Sequence, residues 1–371
     1  MPAGGLEGVV ATTSAISSIV NSVLQYKGYN IDDLANNCTF EEVVYLLWND
    51  KLPNRSELQA FKKEMNDHAE LPEALINEIK TYPLKKVHPM AILRTAVSAL
   101  GLYDEEADDM DEAANKRKAV RLQAKMPTLV AAFTRIRDGK EPVAPRKDFG
   151  LAANLVYMLF DREPEEVEVK AMDKALILHA DHELNASTFT ARVCVATLSD
   201  IYSGVTAAIA ALKGPLHGGA NERVMKMLTE IGSVDNIDAY LEKAFANKEK
   251  IMGFGHRVYK NGDPRAKHLR EMSKKLTDMN GEKKWYEMSV KIEDIMKKEK
   301  GLLPNVDFYS ASVYHSLGIP HDIFTPIFAV SRVSGWLAHI LEQYANNRLI
   351  RPRAEYVGPE SRDFVAIDDR A

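Results

Sequence analysis

Apolar residues recur at three- and four-residue spacing along most of the chain, whereas strict alternation is scarce, so the pattern predicts many helices and little sheet. Thr39 and Glu42 have the spacing of a capping box, and Val43, Val44, Leu46 and Leu47 follow as the apolar face of the helix they open. Further helices are expected over Leu151–Phe160, Glu165–His179, Ala220–Ile231, Asp238–Asn247, Asp263–Thr277, Trp285–Glu299 and Pro326–Tyr344. Asn185 is placed to cap a small-residue segment running to about Leu198, and a second such helix, Ile201–Lys213, stops at Gly214-Pro215. Small side chains on those two segments suit close helix contact inside a core. No βα alternation and no repeat of about 20–50 residues is visible, so the expected fold class is all-α.

Composition narrows the function classes. At 371 residues the chain is long enough for two or three domains, and its 46% hydrophobic and 27% charged residues are those of an ordinary globular protein. Forty-eight basic against fifty-three acidic residues give a net charge of -5, which argues against a broad nucleic-acid-binding surface. Two cysteines, Cys38 and Cys194, make no disulfide scaffold and fit a reducing cytoplasm. The start, MPAGGLEGVV, lacks the basic-then-apolar order of a signal peptide. Apolar runs such as Ala152–Phe160 and Val205–Leu212 fall short of the roughly 20 residues that span a bilayer, so no membrane role is expected. The acidic run Asp104–Glu112 lacks the central glycine of an EF-hand and reads as a solvated connection or helix start.

Candidate chemistry gathers in the second half. In GPLHGGAN (Gly214–Asn221) a histidine sits in a sharp glycine turn just ahead of a helix N-terminus, whose dipole favours a neutral imidazole. Neutral His217 can donate a hydrogen bond to a carbonyl oxygen that becomes an enolate; a polar turn residue is the plainer reading. GFGHRVYKNGDPR (Gly253–Arg265) places His256 after two glycines that admit a close backbone approach. Arg257, Lys260 and Arg265 add charge suited to phosphate or carboxylate. Asp307, in PNVDFY, has aromatic neighbours that would make it a stronger base than a solvated carboxylate, although such a position is more often a helix cap. His179 and His182 in HADHE have the i, i+3 spacing of a chelating pair, without HExxH, CxxC or a third ligand nearby. Arg332 interrupts an apolar helix and must face an anion or an acidic partner, while Arg351 and Arg353 flank Pro352.

Together these segments resemble the citrate synthase family, in its compact bacterial and archaeal form and nearest that of bacilli. GFGHRVYKNGDPR fits the family signature along its length, and GPLHGGAN, HADHE, NVDFYSA, the Ser331-Arg332 helix and Arg351-Pro352 follow in the family's order. The resemblance implies a two-domain helical fold, with a large domain of 1–218 plus 328–371 and a small domain of 219–327 closing over a cleft. It implies condensation of acetyl-CoA with oxaloacetate and hydrolysis of citryl-CoA, with no metal and no permanently bound cofactor. Asp307 would be the base, His217 the stabiliser of the enol and His256 the acid at the oxaloacetate carbonyl. His182, Arg265, Arg332 and Arg351 would hold oxaloacetate, Arg351 reaching across a homodimer. Ile251, Met252, Gly253, Phe254, Gly255 and Lys260 would meet CoA.

Three rivals stand beside this reading. A 2-methylcitrate synthase using propionyl-CoA differs by one methyl group, worth only about 1–3 kcal/mol of discrimination in a pocket. A metal-dependent hydrolase would use His179, His182 and Glu183. A non-catalytic helical assembly protein would keep the core alone. No GxSxG elbow supports a serine hydrolase.

Overall fold

The computed structural model describes residues 5, 8–256, 258–259 and 262–370. Sixteen α-helices make up nearly all of the regular secondary structure among the described residues. The first eight are α1 Ile31–Asn37, α2 Phe40–Asn49, α3 Arg55–Asp67, α4 Glu73–Thr81, α5 Pro89–Leu100, α6 Glu112–Arg137, α7 Leu151–Phe160 and α8 Glu166–His179. The rest are α9 Ala186–Val195, α10 Ile201–Leu212, α11 Ala220–Ile231, α12 Ile237–Ala246, α13 Ala266–Met279, α14 Lys284–Lys300, α15 Val306–Ser316 and α16 Phe324–Ala345. The Thr39 capping box is present, and Asn185 caps α9 by accepting the Thr188 amide.

The helical pattern did not reveal a small antiparallel sheet, β1 Ser17–Val20, β2 Val23–Tyr26 and β3 Tyr29–Asn30, in the order β1-β2-β3. Asn21 and Ser22 both take positive φ, the conformation of a two-residue hairpin turn, and pair Val20 with Val23. Tyr26, fully buried, roots the hairpin in the helical core.

Helix α16 is the spine. It packs against α2, α6, α8, α9 and α10, and Ser331, Arg332, Ser334, Trp336 and His339 all lie buried along it. The stretch His321–Ala345, which contains it, is long and apolar enough to span a bilayer, unlike the shorter runs, but 94% of its apolar 18-residue window is buried inside the protein. Length and apolarity here reflect a core position. Helices α11, α13 and α14 pack around α15, and this group meets the rest where α13 and α15 touch α8 and α11 touches α16.

The acidic stretch before α6 is mostly exposed, as its composition suggested, but two of its carboxylates are engaged. Asp104 binds Arg121 through both oxygens (2.9 and 2.8 Å) and accepts from the Tyr202 hydroxyl. Glu106 pairs with Arg117 and Arg121, so these two acidic side chains reach back to the arginines of α6.

Candidate active site

Three turns and one helix bring the candidate residues together. The first turn joins α10 to α11, where the amides of His217 and Gly218 both bond to the Gly214 carbonyl (2.9 and 3.0 Å). The His217 ring also meets the N-terminal turn of α9. The Ser187 amide, in the first turn of α9, donates to His217 Nε2 (3.3 Å), and the Ser187 hydroxyl lies 2.8 Å from the same nitrogen. That assigns the proton to Nδ1. Burial, with the Arg332 charge nearby, pushes the imidazole down to about 4, so it is neutral at physiological pH. Trp336 of α16 donates to the Ser187 hydroxyl (3.0 Å) and fixes this contact in the core.

The second turn is HADHE. Helix α8 ends at His179, so His182 lies beyond it and the two histidines do not share a helix face as their spacing had suggested. The His179 ring is buried against Phe328 with Nδ1 at the Ala175 carbonyl (2.7 Å), and burial pushes it down to about 3. His182 instead bonds the Tyr259 hydroxyl (3.0 Å) and packs edge-on against His256, with ring centres 5.2 Å apart. Burial and then Arg265 hold it well below the usual histidine range. No group of three or more His, Cys, Asp or Glu side chains converges to hold a metal among the described residues.

The third turn carries His256, whose Nδ1 accepts the Val258 and Tyr259 amides (3.0 and 3.3 Å), leaving the proton on Nε2. The Gly253–Gly255 segment is zipped to the start of α15. Gly255 donates to the Leu303 carbonyl (3.0 Å), Asn305 donates to the Gly253 carbonyl (2.9 Å), and Phe254 pairs with Pro304. Gly253 therefore serves packing before any ligand. Its φ is +83°, and a Cβ there would stand 2.8 Å from Val224 and 2.9 Å from Phe308. Of the proposed CoA contacts, Ile251 and Phe254 are buried, Met252 and Gly255 are partly exposed, and Lys260 lies outside the described residues.

Asn305, which sequence reasoning passed over, ties the third turn to Asp307. Its side-chain amide donates to the Gly255 carbonyl (2.9 Å), while its oxygen accepts the Asp307 amide (3.0 Å) as the N-cap of α15. Asp307 is thus not the cap, and its carboxylate has no hydrogen-bond partner among the described residues. Burial pushes it up to about 6, against the pull of Arg265 and Arg332.

The two arginines differ. Arg332, 2% exposed, donates through Nε to the His179 carbonyl (2.6 Å) and lies over Phe328, and no carboxylate pairs with it among the described residues. Burial lowers it to about 10, still charged at neutral pH. Arg265 is already engaged. Its Nε and Nη2 grip Asp263 (2.9 and 2.7 Å), leaving Nη1, so a second bidentate clamp on that edge is closed to substrate. Burial works against its charge, but Asp263 more than offsets it and holds the guanidinium above its usual value. Asp263 also accepts the Val306 amide (3.0 Å), another link to α15 that the motif alone did not disclose. Arg351 is exposed and lines a groove of about 830 Å³ with Thr12–Ala15, Arg192 and Glu342; within one chain it is not brought to the histidines.

A profile of the family described as "Citrate synthase, C-terminal domain" matches residues 5–353. The chain is 68% identical to citrate synthase 2 of Bacillus subtilis over 99% of each chain. It is 43% identical to 2-methylcitrate synthase 2 of Corynebacterium glutamicum over 99% of this chain and 97% of that one. Among solved structures, citrate synthase from Thermoplasma acidophilum, in ternary complex with carboxymethyl coenzyme A and oxaloacetate, superposes with a TM-score of 0.92 at 36% identity, covering 98% of both chains.

Proposed function

The chain belongs to the citrate synthase family, and we propose that it condenses acetyl-CoA with oxaloacetate and hydrolyses citryl-CoA, using Asp307, His217 and His256. One observation carries this assignment. The fold packs His182 against His256, with ring centres 5.2 Å apart, and Asn305 ties the His256 turn to Asp307, while Arg265 and Arg332 stand close enough to bias the charge of Asp307 and His182.

The chemistry follows from those protonation states. A dianionic keto acid is drawn to Arg332 and to Nη1 of Arg265, which no described residue engages, with His182 beside them. Asp307 takes a proton from the methyl carbon of acetyl-CoA. Because that carbon acid is very weak, the Nδ1–H of His217 stabilises the enol oxygen as it forms. The enol carbon then attacks the oxaloacetate carbonyl, whose oxygen takes its proton from Nε2 of His256. Water cleaves the thioester and releases citrate and CoA. The residues need no metal for these steps, and CoA enters as a co-substrate along Ile251–Gly255, with Lys260 adding charge.

Residues 219–327 form the small domain that closes on 1–218 plus 328–371. Arg351, apart from the cluster in its own chain, completes the site of the partner subunit in a homodimer, and the enzyme works in the cytoplasm. Greater likeness to a citrate synthase than to a 2-methylcitrate synthase favours acetyl-CoA over propionyl-CoA. The test of the assignment is Asp307→Asn, which should cut thiol release from acetyl-CoA by orders of magnitude without lowering Tm. Near-normal turnover would remove Asp307 as the base.

A further inference from the structure

The β1–β2 hairpin lies outside the site, yet it grips the turn that presents His182 from both sides. The Ser17 hydroxyl donates to the buried Asp181 carboxylate and accepts the Glu183 amide (2.9 Å), spanning His182. The Ile19 amide donates to the Glu183 carboxylate (3.1 Å). Tyr26 donates to the Asp181 carbonyl (2.9 Å) and accepts the Asp181 amide (3.2 Å). Both neighbours of His182 are therefore tied to one hairpin, and none of these bonds belongs to a helix.

The turn needs such ties. Glu183 takes φ +48°, a left-handed conformation unfavourable for a residue with a Cβ, immediately after His182. It sits directly on α16, where a Cβ at Gly335 would lie 2.4 Å from the Ala180 carbonyl oxygen. The hairpin is itself anchored to α16, because the Ala15 amide donates to Glu342 (2.7 Å) and His339 reaches the same Asp181 oxygen as Ser17 (3.3 Å). Helix α16 carries Arg332, so hairpin, turn and arginine share one frame.

We propose that the N-terminal hairpin is a positioning element for oxaloacetate binding, with Ser17 the residue that sets His182 against Arg332. This rests on the reading of His182 as an oxaloacetate ligand. Ser17 touches no substrate; it acts through the backbone on either side of His182.

Steady-state kinetics of the full-length enzyme test it. Ser17→Ala should raise KM for oxaloacetate about five- to tenfold, with kcat and KM for acetyl-CoA within about twofold and Tm nearly unchanged, and Ser17→Thr should restore the parent KM. Glu183→Ala, which removes the Ile19 tie, should give the same selective rise and serves if Ser17→Ala does not fold. His182→Ala runs alongside. If it raises the oxaloacetate KM while Ser17→Ala and Glu183→Ala do not, the positioning role is overturned and the ligand reading stands. If His182→Ala leaves that KM unchanged, the ligand reading itself fails. A parallel loss of kcat and both KM values with a lower Tm, unrelieved by threonine, would also overturn the proposal, since it marks a merely structural role.

Discussion

Lowering the pH reaches Asp307 without altering the chain. With the carboxyl at about 6, about half of it is ionised at pH 6 and about one tenth at pH 5, whereas an ordinary aspartate would be more than about nine tenths ionised at pH 5. A base must be ionised to act, so activity is present above this pKa and lost as pH falls through it. Oxaloacetate brings two negative charges to Arg265 and Arg332, the groups that pull Asp307 down, so its binding moves the acid limb upward. The prediction is therefore one-sided. At saturating oxaloacetate, kcat/KM for acetyl-CoA should fall about tenfold per pH unit below a limb at about pH 6 or higher. His217, at about 4, titrates below this range. Initial rates followed by loss of thioester absorbance from pH 5 to 8 give the profile. Unfolding through this group does not confuse it: a folded-state pKa above the unfolded value means acidification over this range favours the fold. A profile flat down to pH 5, with a limb near 4, would refute the argument that burial activates this base.

Three further outcomes are expected. Gly253→Ala should cost on the order of 2–5 kcal/mol in denaturant unfolding, combining about 1–2 for the left-handed backbone with about 1–3 for pressing Val224 and Phe308; an unchanged midpoint contradicts the packing account. Asp173 is pushed up to about 7 by burial and by Glu41 beside it, so it opposes folding increasingly as pH rises. Asp173→Asn, which can still accept the Phe40 amide, should raise Tm by several degrees at pH 8 and little at pH 4, and an equal effect at both would rule out this titration as the cause. Mixing Arg351→Ala with His256→Ala subunits, each nearly inactive, should recover about a quarter of wild-type activity, because half the dimers then hold one intact site; no recovery after confirmed subunit exchange argues against a shared site.

Much of the architecture was legible because local signals agreed with it. The capping box at Thr39, the cap at Asn185 and the glycine turn at 214–219 mark helix ends within a residue or two. The hairpin escaped notice because its four-residue strands are joined by Asn-Ser rather than a glycine turn, and because helical periodicity dominates around it. Helix α6 was equally opaque, since Lys118, Gln123 and Pro127 are buried along its length and blur any apolar face. Motif reading found the candidate side chains but not what holds them. Ser187 meets His217 from thirty positions away, and the double use of Asn305 depends on the fold returning Gly255 to it. The neutral state of His217 was expected from the dipole of the helix that follows it, whereas burial and the Arg332 charge are what lower it, and the contact with Ser187 of α9 had no signal in the motif.

The most direct test of the central claim is CoA thiol release by the purified enzyme, with oxaloacetate and either acetyl-CoA or propionyl-CoA, in the presence of EDTA. Cys38 and Cys194 are free thiols, so a blank without oxaloacetate sets the baseline. The account predicts oxaloacetate-dependent release, a higher kcat/KM with acetyl-CoA, and no loss to the chelator. A clear preference for propionyl-CoA would make the enzyme a methylcitrate synthase on the same machinery, and no release with either thioester would contradict the catalytic assignment while leaving the fold standing.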